Sequence, residues 1–161
     1  MTGQSLFAQT TYTGQLNLNK KDKFFTLKSA TDSLLVTINK RNIDFNKDKY
    51  YQLIKLKGEN YNLISKGDSI GISVEKKLIK FSTGFTFFVS KKKAHQIVLN
   101  DKNGTTVLDA NYKSKGNIAQ YTIQIFDKEH EIGLLTYATN YLFIQSQNEI
   151  NSVQTFMYFI Y

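Results

Sequence analysis

Ten short runs rich in Ile, Val, Phe, Tyr and Thr follow one another with little between them, and this spacing constrains the fold more than any other feature. They are "FFTLK" (24–28), "SLLVTIN" (33–39), "YYQLIKL" (50–56), "NYNLIS" (60–65), "SIGISVE" (69–75), "KLIKF" (77–81), "FTFFVS" (85–90), "HQIVLN" (95–100), "TTVLD" (105–109) and "QYTIQIF" (120–126). Gly, Asn, Asp, Ser and Lys separate them, the punctuation of strands. Several alternate cleanly: Tyr121, Ile123 and Ile125 against Gln120, Thr122 and Gln124 describe a strand with one dry and one wet face. A parallel crossover needs about a dozen residues or more, which these gaps do not provide, so neighbouring strands pair antiparallel. The expectation is an all-β chain, a barrel or sandwich of about ten to twelve short strands. At 161 residues it suits one domain, assigned to 19–161, with 1–18 as an N-terminal arm.

Three connections resemble one another: "LISKGDSIGI" (63–72), "VLNDKNGTTVL" (98–108) and "QIFDKEHEIGL" (124–134). The first and third share Lys-x-x-x-Ile-Gly, Lys66 to Gly71 and Lys128 to Gly133. By that likeness Glu129, His130 and Glu131 form the solvated tip of a hairpin, and His130 is a dispensable surface residue. A zinc-protease helix needs His-Glu-x-x-His, but Leu134 stands four after His130. "DKNG" has its glycine too early for a calcium loop. His95 has no acidic neighbour until Asp101. With no cysteine, no glycine-rich phosphate loop and no nucleophile elbow, the sequence offers no catalytic residue, no metal ligand set and no cofactor site.

Residues 134–146, "LLTYATNYLFIQS", are apolar nearly all round. They read either as a helix buried on every side or as two strands turning at Ala138 to Asn140, with the hairpin preferred. "VQTFMYFIY" (153–161) reads as a closing or interface strand. The segments "NLISKGDSIGISVEKK", "IVLNDKNGTTVLDA" and "YTIQIFDKEHEIGLLTYATNYLFI", spanning 61–144, resemble the tubby C-terminal-like superfamily, in particular its short LURP-one-related and scramblase-like members. The resemblance implies a closed twelve-stranded barrel around a central apolar helix, which would be "GLLTYATNYLFIQS". The segment "NEINSVQTFMYFIY" that follows and the lack of tryptophan depart from that pattern.

Charge is unevenly placed. Residues 1–117 carry 20 basic against 9 acidic side chains, and 118–161 carry 1 against 4. A field of this sign favours an anionic lipid surface or an acidic protein. Only Arg41 is arginine, and lysine cannot make the planar bidentate grip on guanine, which argues against sequence-specific nucleic-acid readout. The candidate binding patch is Lys76, Lys77, Lys80, Lys91, Lys92 and Lys93, gathered around "FTFFVS". The leading expectation is therefore a non-catalytic β-domain that binds an anionic surface or partner. The alternatives are an assembly subunit whose C-terminal strand pairs with a partner chain, and a barrel that holds a small apolar ligand. No run reaches the roughly 20 apolar residues of a transmembrane helix. The first residues, read as a frayed terminus, fit a cytoplasmic chain, the preferred reading; read as a signal-peptide remnant ending at Ala8, they fit an exported one.

Overall fold

The computed structural model describes residues 9–20, 23–39, 42–46, 51–58, 60–65 and 68–160. Among the described residues, twelve strands precede one helix: β1 (Thr10–Asn17), β2 (Lys23–Lys28), β3 (Ser33–Asn39), β4 (Asn42–Asn46), β5 (Tyr51–Lys55), β6 (Asn60–Ser65), β7 (Asp68–Val74), β8 (Leu78–Phe81), β9 (Thr86–Lys93), β10 (Gln96–Asn100), β11 (Thr106–Lys115), β12 (Ile118–Ile125) and α1 (Glu131–Ile160). Each strand pairs antiparallel with the next, and β1 pairs with β12 from Thr10↔Ile125 to Asn17↔Ile118, so the sheet closes into a barrel.

All ten sequence runs are strands, and two strands lie outside them. β4, "NIDFN", has only Ile43 and Phe45 to mark it, yet both are fully buried. β1 corrects the domain boundary: Thr10–Asn17 belongs to the barrel rather than to an arm, and residues 1–8 lie outside the described residues. Its inward side chains, Tyr12 and Leu16, alternate with Thr and Gln. Gly14 stands between them, where a Cβ would come within 2.7 Å of the Thr26 carbonyl, so the β1–β2 seam closes over a residue without a side chain.

The closed sheet encloses α1. Leu134, Leu135, Ala138 and Leu142 are at most 3% exposed, and they fill the axis against inward residues such as Phe45, Leu63, Ile79, Leu108 and Ile123. Segment 134–146 is therefore the helix and not the hairpin. The physical reason is geometric: a barrel of twelve strands is wider than its own side chains can fill, and an element apolar on every side fills it. The same helix continues to Ile160, which overturns the C-terminal strand expected for pairing with a partner chain. Its axial position also occupies the space in which a small apolar ligand was placed.

Strand direction defines two mouths. α1 enters at the mouth where β12 ends, beside the β8–β9 and β10–β11 turns, and leaves at the mouth formed by the β7–β8, β9–β10 and β11–β12 turns. Buried polar groups on the helix are handled locally. Thr136 Oγ1 donates to the Ile132 carbonyl at 2.6 Å and Thr139 Oγ1 to the Leu135 carbonyl at 2.8 Å. Ser146 Oγ meets the Tyr121 hydroxyl at 2.8 Å.

Candidate functional site

The candidate lysines collect at the exit mouth, with one exception. Lys76 and Lys77 form the β7–β8 turn and Lys91, Lys92 and Lys93 end β9, all exposed. Lys80 stands on the β8 wall, where Glu75 neutralises it at 3.2 Å. The structure adds lysines that sequence proximity could not group: Lys20, Lys57, Lys113 and Lys115 lie exposed at the same mouth. Lys23 is there too, but its ammonium donates to the carbonyls of Leu18 and Lys20 and so holds the β1–β2 turn together. Burial pushes its pKa down. Among the described side chains, the acids at this mouth are Glu75 and Glu149. Glu149 accepts hydrogen bonds from Tyr112 Oη at 2.7 Å and Ser114 Oγ at 3.2 Å, and His95 Nδ1 lies 4.0 Å away. It anchors the helix to β11, and burial together with this carboxylate holds the Tyr112 pKa far above its ordinary value.

A β-bulge decides which lysine faces the barrel interior. In β9, Val89 pairs with inward Leu99, but the register then shifts, so that Lys91 pairs with Val98 and Lys92 with fully buried Ile97. Paired residues share a face, and the extra residue, Ser90, therefore turns Lys92 toward the helix while Lys91 faces outward. Tyr141 ties the helix to the same strand end by donating from Oη to the Lys93 carbonyl at 2.7 Å. Burial raises its pKa, so the hydroxyl stays a donor.

The entrance mouth has the opposite character. Among the described side chains it holds Asp32, Asp101, Asp127, Glu129 and Glu131 against Lys28, Lys102 and Lys128. His130 is not the tip of a hairpin: its side chain is only 10% exposed and stands one residue before α1. Asp127 caps that helix, accepting the His130 backbone N–H on Oδ1 at 3.2 Å and contacting the ring Nδ1 through Oδ2 at 2.8 Å. The ring then lies among Phe85, Phe81 and Phe87, with centroids 3.9, 6.3 and 5.5 Å away. The Lys-x-x-x-Ile-Gly likeness misled because its first instance returns as a strand, whereas here Asp127 starts a helix. A hollow of about 500 Å³ lies beside this cluster, lined by Phe85, Phe88, Asp101, Asn103, Glu129 and His130. Asp127, Glu129 and His130 could each bring one ligand atom within 4.8 Å of the others. Both Asp127 oxygens are already engaged by the cap and the ring, and this group is accounted for as the fixture that starts the helix.

Comparison with protein-family models, with curated proteins and with solved structures finds no match to this chain. Among the described residues no helix is long and apolar enough to cross a membrane.

Proposed function

We propose that this protein is a non-catalytic β-domain that docks on an anionic membrane surface through the exit mouth of its barrel. The observation that carries the reading is that, among the described side chains, nine exposed lysines, Lys20, Lys57, Lys76, Lys77, Lys91, Lys92, Lys93, Lys113 and Lys115, gather around one mouth while acids predominate at the other. Such an axial asymmetry orients a molecule before contact. The helix that leaves through this mouth continues to Ile160, and the sequence from 151 onward contains no charged residue and includes Phe156, Met157, Tyr158 and Phe159. A mouth rich in lysine, in a sequence with a single arginine and an uncharged aromatic run after Ile150, suits a lipid headgroup layer better than a nucleic acid. Membership of the tubby-like superfamily goes with this proposal; the closed twelve-stranded barrel and its apolar axial helix support it.

Cosedimentation with anionic and neutral vesicles tests the reading. Binding should require anionic lipid and fall steeply with salt, because exposed charges are screened beyond a Debye length of about 8 Å at physiological ionic strength. Each lysine near such a surface contributes about 1 kcal/mol, so changing Lys91, Lys92 and Lys93 together to Gln should weaken binding by roughly 100-fold. Binding that is unaffected by salt or by these changes, or no binding at all, refutes it. Equal retention by mixed oligonucleotides would replace the membrane with a nonspecific polyanion.

A further inference from the structure

α1 does not run midway between the walls: it lies against β10, β11 and β12. Tyr137, Asn140, Tyr141, Ile144 and Gln145, at i, i+3, i+4, i+7 and i+8, form the stripe turned to the opposite wall. That stripe borders a half-open cavity of about 100 Å³, with Tyr61, Val74 and the exposed Lys92 on its sheet side. The volume is about that of three waters in the liquid. Asn140 is only 7% exposed, and it differs from the other buried polar side chains of the helix. Thr136, Thr139 and Ser146 all have hydrogen-bond partners, whereas the Asn140 amide has none among the described residues and opens into the cavity. The Asn140 amide keeps access to solvent through the cavity, so a group bound there would take the place of water as its hydrogen-bond partner.

The cavity's other feature is its charge. Among the described residues Lys92, which the β9 bulge turns inward, has no carboxylate partner, and no acidic side chain lines the space. Lys92 can donate three hydrogen bonds, and the amides of Asn140 and Gln145 two each. These donors line one cavity from both sheet and helix, which suits a compact anion, and lysine binds phosphate as a point charge.

We infer that this cavity is a phosphate-monoester site in which the Lys92 ammonium and the Asn140 and Gln145 amides hold the phosphate oxygens. This deepens the proposal of an anion-binding exit mouth and rests on it. The phosphate belongs either to a lipid headgroup or to a free phosphorylated small molecule, and the experiment separates the two.

In the full chain, inorganic phosphate and glycerol 3-phosphate are titrated while the side-chain amide resonances of Asn140 and Gln145 are followed by NMR. Binding to vesicles of phosphatidic acid, a phosphate monoester, is measured beside phosphatidylglycerol, a diester, at matched surface charge. Both amides should shift with saturation. Lys92→Gln should weaken phosphate binding by about tenfold or more, and Lys91→Gln, the same charge loss facing outward, by less than about twofold. Asn140→Leu should also abolish the site, and Gln145→Leu provides the check should Asn140→Leu disturb folding. A preference for phosphatidic acid that Lys92→Gln removes assigns a lipid source. Saturable phosphate shifts without that preference assign a soluble one. The inference is overturned if the amides do not respond up to about 10 mM phosphate, where even weak sites fill. It also falls if acetate acts as well as phosphate, or if Lys91→Gln and Lys92→Gln are equivalent. Salt-sensitive vesicle binding that survives such a failure leaves surface docking standing without the cavity. Lys92-dependent phosphate binding without vesicle binding overturns the docking reading instead.

Discussion

Replacing Gly133 with alanine should destabilise the protein although it improves a helix. Gly133 is the third residue of α1, and a Cβ built there would lie 2.6 Å from Phe81 Cε2 and 2.8 Å from Cζ, where ordinary contact begins at 3.4 Å. The ring would have to retreat by about 0.8 Å to reach that contact. It has little freedom to do so. Phe81 is 5% exposed, its ring meets Phe87 edge-on at 5.2 Å, and its backbone N–H is held by the Phe85 carbonyl at 2.9 Å. Overpacking of this kind costs about 1–3 kcal/mol. The gain in helix propensity is at most about 1 kcal/mol. The net loss is then about 1–2 kcal/mol, and for a chain of this length each kcal/mol lowers Tm by roughly 2–4 °C. Thermal unfolding followed by circular dichroism should show a fall of roughly 2–8 °C. Adding Phe81→Leu should recover part of it, with a favourable coupling of about 1 kcal/mol in the double-mutant cycle. A Gly133→Ala protein as stable as the parent, or more stable, would refute the close approach at the point where the helix enters.

His130→Ala should cost more than about 1 kcal/mol in urea unfolding, since it removes both the ring contact with Phe85 and the Asp127 partner; a loss within the surface range of about 0.5 kcal/mol would return His130 to the exposed turn first expected of it. Burial raises the Tyr121 pKa to about 12 from 10.0. The folded chain thus holds a proton that the unfolded chain releases, and the associated stability is complete below pH 10 and lost as pH rises through 12. The loss is on the order of 2–3 kcal/mol. Tyr121→Phe should flatten this alkaline decline in urea midpoints measured across that window, while its lost hydrogen bond to Ser146 costs about 1 kcal/mol at neutral pH. An unchanged decline would assign the proton release to other groups.

Strands were legible wherever apolar residues alternate over five residues or more between turn formers, as in Tyr121, Ile123 and Ile125. Where the alternation is carried by only two residues, as with Ile43 and Phe45 among asparagines and an aspartate, the same physics operates below the level a window can register. The helix was hidden for a different reason. Periodicity reveals a helix only if one side is wet, and α1 is dry on all sides from Leu134 to Leu142. Its start signal was present, Asp127 three residues before His130, but a neighbouring likeness outweighed it. The lysines of the candidate patch were visible as a group. That Lys92 alone faces inward depends on a bulge at Ser90, which is set by pairing across the sheet and leaves no local trace. Asn140, a polar residue in the middle of "LLTYATNYLFI", was the available hint of a cavity.

The element that fills the barrel is made after all twelve of the strands that surround it. On a ribosome adding about 5–20 residues per second, the interval between completing β1 at Asn17 and reaching Leu142 in the middle of α1 is roughly 6–25 seconds. Throughout it the strands have neither their axial filler nor, until β12 emerges, a partner for β1. The nascent sheet is an open ribbon with a wet concave face that no arrangement of its own side chains can dry. Closure of the seam and insertion of the helix then become a single late event between distant parts of the chain, the kind of step that makes folding slow. A stall or truncation upstream of the helix should leave a sticky sheet rather than a smaller domain.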